Sequence, residues 1–350
     1  CGVGLFYREG FFRQSVAAGR QHERYERYDA ESLGLIDLER KVTIPMPGRD
    51  VAAKVWRLDV GRVALVLLDT DLPTNSRADR AITDRLYSGD RRHRLEQELV
   101  LGVGGARALA ALGWDPAVCH LNEGHAGFLI LDLLDRQIRA GSTLQEALAT
   151  IRPGLVFTTH TPVPAGIDRF EPELAEVYLE PWAQQWGVLL SDLMTLGADP
   201  TDDPVAFNMA AFCLRAAGRA NGVSKLHGKV SRELFADVPG GSEISSVTNG
   251  VHARTWVMPR LQRAFDDALG TGWAEGNPDA WTRVETMDDA AIRSLRQAGS
   301  VDLCDLVAER TGASIRPESL IVGFARRFAT YKRATLLRSL IHISEPTRLE

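Results

Sequence analysis

His160 closes an apolar run. Leu155, Val156 and Phe157 lead through Thr158 and Thr159 into it, and Pro162, Pro164 and Gly166 follow. The run reads as a buried strand, Leu155–Thr159, and the prolines and glycine force a sharp turn directly after it. A polar residue at the carboxyl end of a core strand faces the crevice where open α/β sheets bind ligands. Taken alone, His160 reads first as a histidine that closes its strand on nearby backbone. A second polar cluster, Asn122, Glu123 and His125, follows another short apolar stretch, Ala117–Leu121.

The elements between the two clusters bring them together. Ala126–Ile138 and Thr143–Ile151 have helical patterns, so strand, helices and strand form a βαβ unit with parallel strands. Their carboxyl ends then share one sheet edge, which gathers Asn122, Glu123, His125 and His160. Upstream, Lys54–Thr70 reads as a β-hairpin and Asp90–Leu112 as a helix with Leu95, Leu99, Val100 and Val103 on one stripe. Gly102, Gly104 and Gly105 in that helix each cost about 1 kcal/mol against alanine, which points to close backbone approach there. Downstream, Asp192–Lys229 reads as helical and Ile244–Val247 as a strand running into Asn249-Gly250. That pair on its own is a hairpin turn signal. Asp288–Arg310 reads as a long helix, and Ser319–Phe324 as a strand.

Just past that last strand, Ala325–Ala334 carries four cations within eight residues: Arg326, Arg327, Lys332 and Arg333. Cations at a helix start oppose the macrodipole. A bound phosphate relieves the conflict, so the stretch reads as an anion cradle rather than a solvated basic turn.

Composition sets the frame. The 350 residues suffice for two domains, and 45% hydrophobic with 25% charged residues is a globular balance. A net charge of -5 argues against a polyanionic partner, and no apolar run reaches bilayer length, so neither nucleic acid nor membrane is expected. Cys1, Cys119, Cys213 and Cys304 lie far apart in no metal-ligand spacing, which favours a reduced cytoplasmic protein without a metal site. The start at Cys1 and the interrupted pattern from Arg338 on suggest a fragment with a non-native tail at 338–350.

With these residues assembled, the chain resembles the α-glucan (glycogen, starch and maltodextrin) phosphorylases. The resemblance rests on Gly4–Gln14, His120-Leu-Asn-Glu-Gly-His125, Val156-Phe-Thr-Thr-His-Thr-Pro162, Asn221-Gly-Val-Ser-Lys-Leu-His227, Val247-Thr-Asn-Gly-Val251 and Arg326-Arg-Phe-Ala-Thr-Tyr-Lys-Arg333. Six motifs in the family's order are specific where any one is weak, and the short loops look like the bacterial maltodextrin-type branch. The resemblance implies an α/β, GT-B-like fold: a Rossmann-like N-terminal domain at 1–249 and the beginning of a second Rossmann-like, cofactor-bearing domain at 250–337. It implies retaining phosphorolysis of terminal α-1,4-glucosyl units of glycogen or maltodextrin by inorganic phosphate, giving glucose 1-phosphate, with pyridoxal phosphate as cofactor. It leaves allosteric control and homo-oligomerisation open.

By motif position the resemblance gives His160 the main chain that faces the developing oxocarbenium charge. Asn249 becomes a sugar-hydroxyl partner, Tyr331 a glucose contact, and Arg327 and Lys332 the cations on the phosphates. Glu123 and His125 take supporting substrate-side roles. The family's glycine-rich glucose loop and its Schiff-base lysine match nothing here, since none of the five lysines lies in the required context. The fragment alone is therefore expected to be inactive. The rivals are a GT-B glycogen or starch synthase-like transferase and a non-catalytic glucan-binding module.

Overall fold

A computed structural model describes residues 1–323 apart from 11, 19, 87–88, 161–162, 164–165 and 203–204. The chain divides into two compact units, Cys1–Asn249 and the residues from Gly250 on. The first is a mixed α/β unit with two four-stranded sheets.

The first sheet takes β1 (Gly2–Leu5), β4 (Ile36–Met46), β5 (Arg49–Val60) and β6 (Val63–Asp69), with the hairpin of β2 (Arg13–Ala17) and β3 (Arg20–Arg24) lying outside it. Its order is β1-β6-β5-β4; β1 runs parallel to β6 and the other pairs are antiparallel. The expected hairpin is β5–β6, turned at Gly61 with φ +58°.

Next come α1 (Arg77–Arg80) and α2 (Arg91–Leu99), which passes through a π-helical turn at Val100–Gly104 into α3 (Gly105–Ala111). The single helix expected over Asp90–Leu112 is thus interrupted where its glycines cluster. The reason is close approach. A Cβ on Gly102 would lie 2.4 Å from the Leu129 backbone nitrogen, and one on Gly105 would lie 2.9 Å from Val3 Cγ1.

The second sheet is the one the sequence marks for function. It is built from β7 (Cys119–Asn122), α4 (Leu129–Arg139), α5 (Leu144–Ile151) and β8 (Leu155–Thr159). Then follow β9 (Arg169–Phe170), α6 (Pro172–Trp186), α7 (Leu190–Leu196), β10 (Phe207–Asn208) and α8 (Met209–Ala216). Finally come β11 (Arg219–Gly222), α9 (Lys225–Leu234) and β12 (Ser245–Ser246). The order is β12-β11-β8-β7, all parallel, with Leu121 opposite Phe157 in register. The α4 stripe of Ile130, Leu131 and Leu134 is fully buried, each side chain worth about 1.5–3 kcal/mol of apolar burial. A reciprocal capping box between Thr143 and Glu146 starts α5.

Two expectations are corrected. The stretch expected to be helical throughout, Asp192–Lys229, contains β11 in the middle of the sheet. Ser319–Phe324 is not a strand over its described residues 319–323, where Leu320 and Val322 are 85% and 68% exposed. An apolar run without ladder partners, as here among the described residues, cannot satisfy its backbone as a strand. The second unit, as described, is helical: α10 (Ala253–Trp256), α11 (Pro259–Leu269), α12 (Pro278–Trp281) and α13 (Asp289–Thr311), around Leu269, Trp273 and Ala280. The expected cation cradle and tail lie outside the described residues.

Candidate active site

β7 and β8 are adjacent and parallel, so the chain leaves both strands at the same edge. Directly after β7, Glu123 adopts φ +66° and ψ 179°, a region that a residue with a Cβ rarely enters and that costs about 1–3 kcal/mol. That conformation lets its backbone N–H donate to the Thr158 carbonyl at 2.8 Å while its side chain crosses to the next strand end. There the buried carboxylate accepts the His160 main-chain N–H at 2.7 Å. The His160 side chain itself is exposed.

The rim extends to β11. Thr158 Oγ1 donates to Asn221 Oδ1 at 2.9 Å and meets His120 Nε2 at 2.7 Å. Asn249 reaches the same edge: its backbone N–H donates to the Val223 carbonyl at 3.2 Å, and its side chain is exposed. Asn249-Gly250 therefore does not turn a hairpin; the chain enters α10 next. The structure thus brings Glu123, His125, His160 and Asn249 to one sheet edge, while Arg327, Tyr331 and Lys332 lie outside the described residues.

His125 belongs to a charged group that the sequence reading did not assemble. Arg94 on α2 donates from Nη2 to Asp168 Oδ2 at 3.0 Å, and the same oxygen lies 3.1 Å from His125 Nδ1. Arg94 also touches His125 Nδ1 and lies 3.1 Å from Glu98, one turn along its own helix. Burial would push the His125 imidazolium down, but its contacts with Asp168 and Glu98 outweigh that and hold it up at about 9. Burial pushes Glu98 up to about 7. For Asp168, burial acts upward, but the His125 bond and Arg94 overcome it and hold the carboxylate well below its usual range.

One signal for this group was available. Glu98 falls on the apolar stripe between Leu95 and Leu99, and a carboxylate there needs a partner. Glu98, His125 and Asp168 offer ligand atoms within 4.8 Å of one another, as a metal site would. Arg94 already supplies the cation between them, so the donor set does not fit an added metal.

The chain has known relatives. Residues 194–346 match the family model described as carbohydrate phosphorylase. Over 99% of its length the chain is 40% identical to the glycogen phosphorylase of Mycobacterium tuberculosis, covering 44% of that protein. It is 36% identical to the maltodextrin phosphorylase of Thermococcus litoralis, over 96% of this chain and 43% of that one. By sequence the chain is similar to carbohydrate phosphorylases along nearly its whole length. It spans less than half the length of these two relatives. Among its described residues no helix is long and apolar enough to cross a membrane.

Proposed function

We propose that a full-length phosphorylase carrying these residues is an α-1,4-glucan phosphorylase of GT-B architecture. Its first domain, the Cys1–Asn249 unit, supplies the sugar side and its second supplies the phosphate side. The C1–O4 bond of the terminal glucosyl unit breaks, C1 bonds a phosphate oxygen with retention, and the leaving O4 takes the proton that the substrate phosphate gives up. The products are glucose 1-phosphate and a shortened glycogen or maltodextrin.

The observation that carries this reading is the Glu123–His160 contact at the strand ends. Charge develops at C1 in the transition state, and dipoles fixed beforehand stabilise it without reorganisation. Glu123 fixes the His160 peptide unit from below, which sets the direction of the adjoining carbonyls. Asn249 presents an amide at the same edge for sugar hydroxyls. Arg327 and Lys332 are assigned to phosphate and Tyr331 to glucose by motif position.

The cofactor of this reading is pyridoxal phosphate, which supplies a phosphate group able to exchange a proton with the substrate phosphate. Its attachment needs a lysine in a protected setting. Among the described residues Lys41, Lys225 and Lys229 are exposed, and Lys54 pairs with Asp37 at 2.8 Å. None of these fits. Four unpaired thiols support a cytoplasmic setting.

The test is an assay of the full-length protein with maltodextrin, inorganic phosphate and pyridoxal phosphate. Glucose 1-phosphate should form, and Arg327→Ala should lower kcat/KM for phosphate by about 1.5–3 kcal/mol, roughly 10- to 150-fold. Arg139→Ala should not, because that side chain is 65% exposed and paired with Asp135 on its own helix. Glucan extension from a nucleotide sugar with no phosphorolysis would overturn the reading in favour of a synthase.

A further inference from the structure

The motif Asn221–His227 runs from β11 into α9, and its last residue has no part in the site described above. The His227 ring is buried against the end of β11. A Cβ on Gly222 would stand 2.7 Å from the ring's Nδ1 and 2.9 Å from the Gly228 nitrogen, so glycine is what lets the ring come this close. Ser224 caps α9 and accepts the His227 main-chain N–H at 3.0 Å, which fixes where the side chain starts.

The two ring nitrogens are used unequally. Nδ1 accepts the Val223 N–H at 3.2 Å, so Nδ1 is the unprotonated nitrogen and Nε2 carries the hydrogen. Ser231 Oγ stands farther from the same Nδ1, at 3.5 Å. Nε2 is buried and meets no partner among the described residues. A buried donor left without an acceptor is destabilising, and an apolar side chain of similar size would avoid that cost. What the imidazole offers in exchange is the Nδ1 contact to Val223.

Val223 in turn holds Asn249. The ladder of β11 and β12 pairs Asn221 with Ser245 and Gly222 with Ser246. It continues past both strands: the Val247 N–H donates to the Gly222 carbonyl at 2.9 Å, and the Asn249 N–H donates to the Val223 carbonyl at 3.2 Å. That last rung sets where the exposed Asn249 stands at the sheet edge. We propose that His227 is a positioning residue for Asn249: Nδ1 pins Val223 at its N–H, and Val223 fixes Asn249 through its carbonyl. The proposal rests on the reading of Asn249 as a sugar-hydroxyl partner. A displacement of about 1 Å in a group that orients a substrate can cost about 100-fold in rate, so a contact this far from the sugar still matters.

The test uses the full-length protein. An asparagine at 227 places its side-chain oxygen where Nδ1 stands, whereas a glutamine places its amide where Nε2 stands. His227→Asn should keep kcat/KM for maltodextrin within about threefold of the parent, and His227→Gln should lower it by at least about tenfold. Added to Asn249→Ala, His227→Gln should bring no further loss, because it acts through that side chain. Hydrogen exchange supplies a readout that needs no activity. The Val223 and Asn249 amides should exchange near the parent rate in His227→Asn and at least about tenfold faster in His227→Gln. Where His227→Gln does not fold, His227→Leu, which fills the space without an acceptor, takes its place under the same expectations. Equal kcat/KM in the two variants overturns the proposal, as do losses that multiply in the double variant or equal exchange at Asn249. If the parent forms no glucose 1-phosphate, the proposed function fails by itself. Exchange then decides this inference alone: faster in His227→Gln upholds the hold on Asn249, and equal rates overturn it.

Discussion

The Glu123 carboxylate and the His160 main-chain N–H meet at 2.7 Å across the ends of two parallel strands. Glu123 makes the contact from a left-handed backbone with φ +66°. The strained residue is the one that holds the His160 amide, so the strain and the site coincide. Replacing Glu123 by Gln keeps an acceptor and should cost little. Replacing it by Ala leaves the amide unpaired and should cost about 1–3 kcal/mol of unfolding free energy. Hydrogen exchange at the His160 amide separates the cases: fast in Glu123→Ala, slow in Glu123→Gln. Equal exchange in both would remove Glu123 as the anchor.

What the sequence made legible were elements with their own pattern. The run Leu155–Phe157, the stripe of α4 and the Thr143–Glu146 cap each identify their element locally, and the βαβ rule then places Glu123 and His160 on one edge. β11 had no such signal. Arg219-Ala-Asn-Gly222 carries no strand-forming side chains, and it is a strand because β8 and β12 pair with it. Asp168 was illegible for a different reason. Its partner Arg94 lies 74 residues away, and no local pattern encodes a contact of that separation.

Gly102 should not tolerate a methyl group. A Cβ there would stand 2.4 Å from the Leu129 nitrogen and 2.6 Å from the Phe128 carbonyl carbon, both backbone atoms that cannot step aside. The gain in helix propensity from alanine, about 1 kcal/mol, is outweighed by overpacking of about 1–3 kcal/mol or more. Gly250→Ala, with nothing within 4 Å, serves as the control and should be near neutral. Urea titration of both variants checks this; a Gly102→Ala protein as stable as the parent would refute the close-packing account of the π-helical turn.

Arg49 joins two buried acids. Its Nε bonds Asp79 Oδ1 and its Nη2 bonds Glu96 Oε1, each at 2.8 Å, while Tyr178 also donates to Glu96. The acids are 6% and 11% exposed, so Arg49→Ala strands two desolvated carboxylates and should cost about 3–5 kcal/mol. Removing one charge in the double variant Arg49→Ala/Glu96→Gln should recover part of the loss. Denaturation midpoints of the two variants decide it, and no recovery in the double variant would assign the loss to packing by the arginine stem instead.

The Arg94–Glu98–His125–Asp168 group should make stability fall as pH rises from acid to alkaline. His125 is held up at about 9 against an ordinary 6.5. Its protonated form therefore stabilises the fold fully below about 6.5, and that contribution is lost as pH rises through about 9. Glu98, kept protonated by burial up to about 7 against an ordinary 4.5, acts in the same direction over 4.5–7, where the unfolded chain ionises first. Asp168 acts oppositely and only in acid: its depressed value gives stability present above 3.8 and lost as pH falls below it. Stability should thus peak on the acid side of neutrality and decline toward pH 9. His125 is about a third exposed, so solvent screens its share, and a shift of a few degrees in Tm is the expected scale, at about 2–4 °C per kcal/mol. His125→Gln, which cannot titrate, should flatten the decline between 6.5 and 9 and leave the acid limb in place. A Tm profile with an unchanged alkaline slope in that variant would show that the ring carries no linked proton, and that Asp168 is held by Arg94 alone.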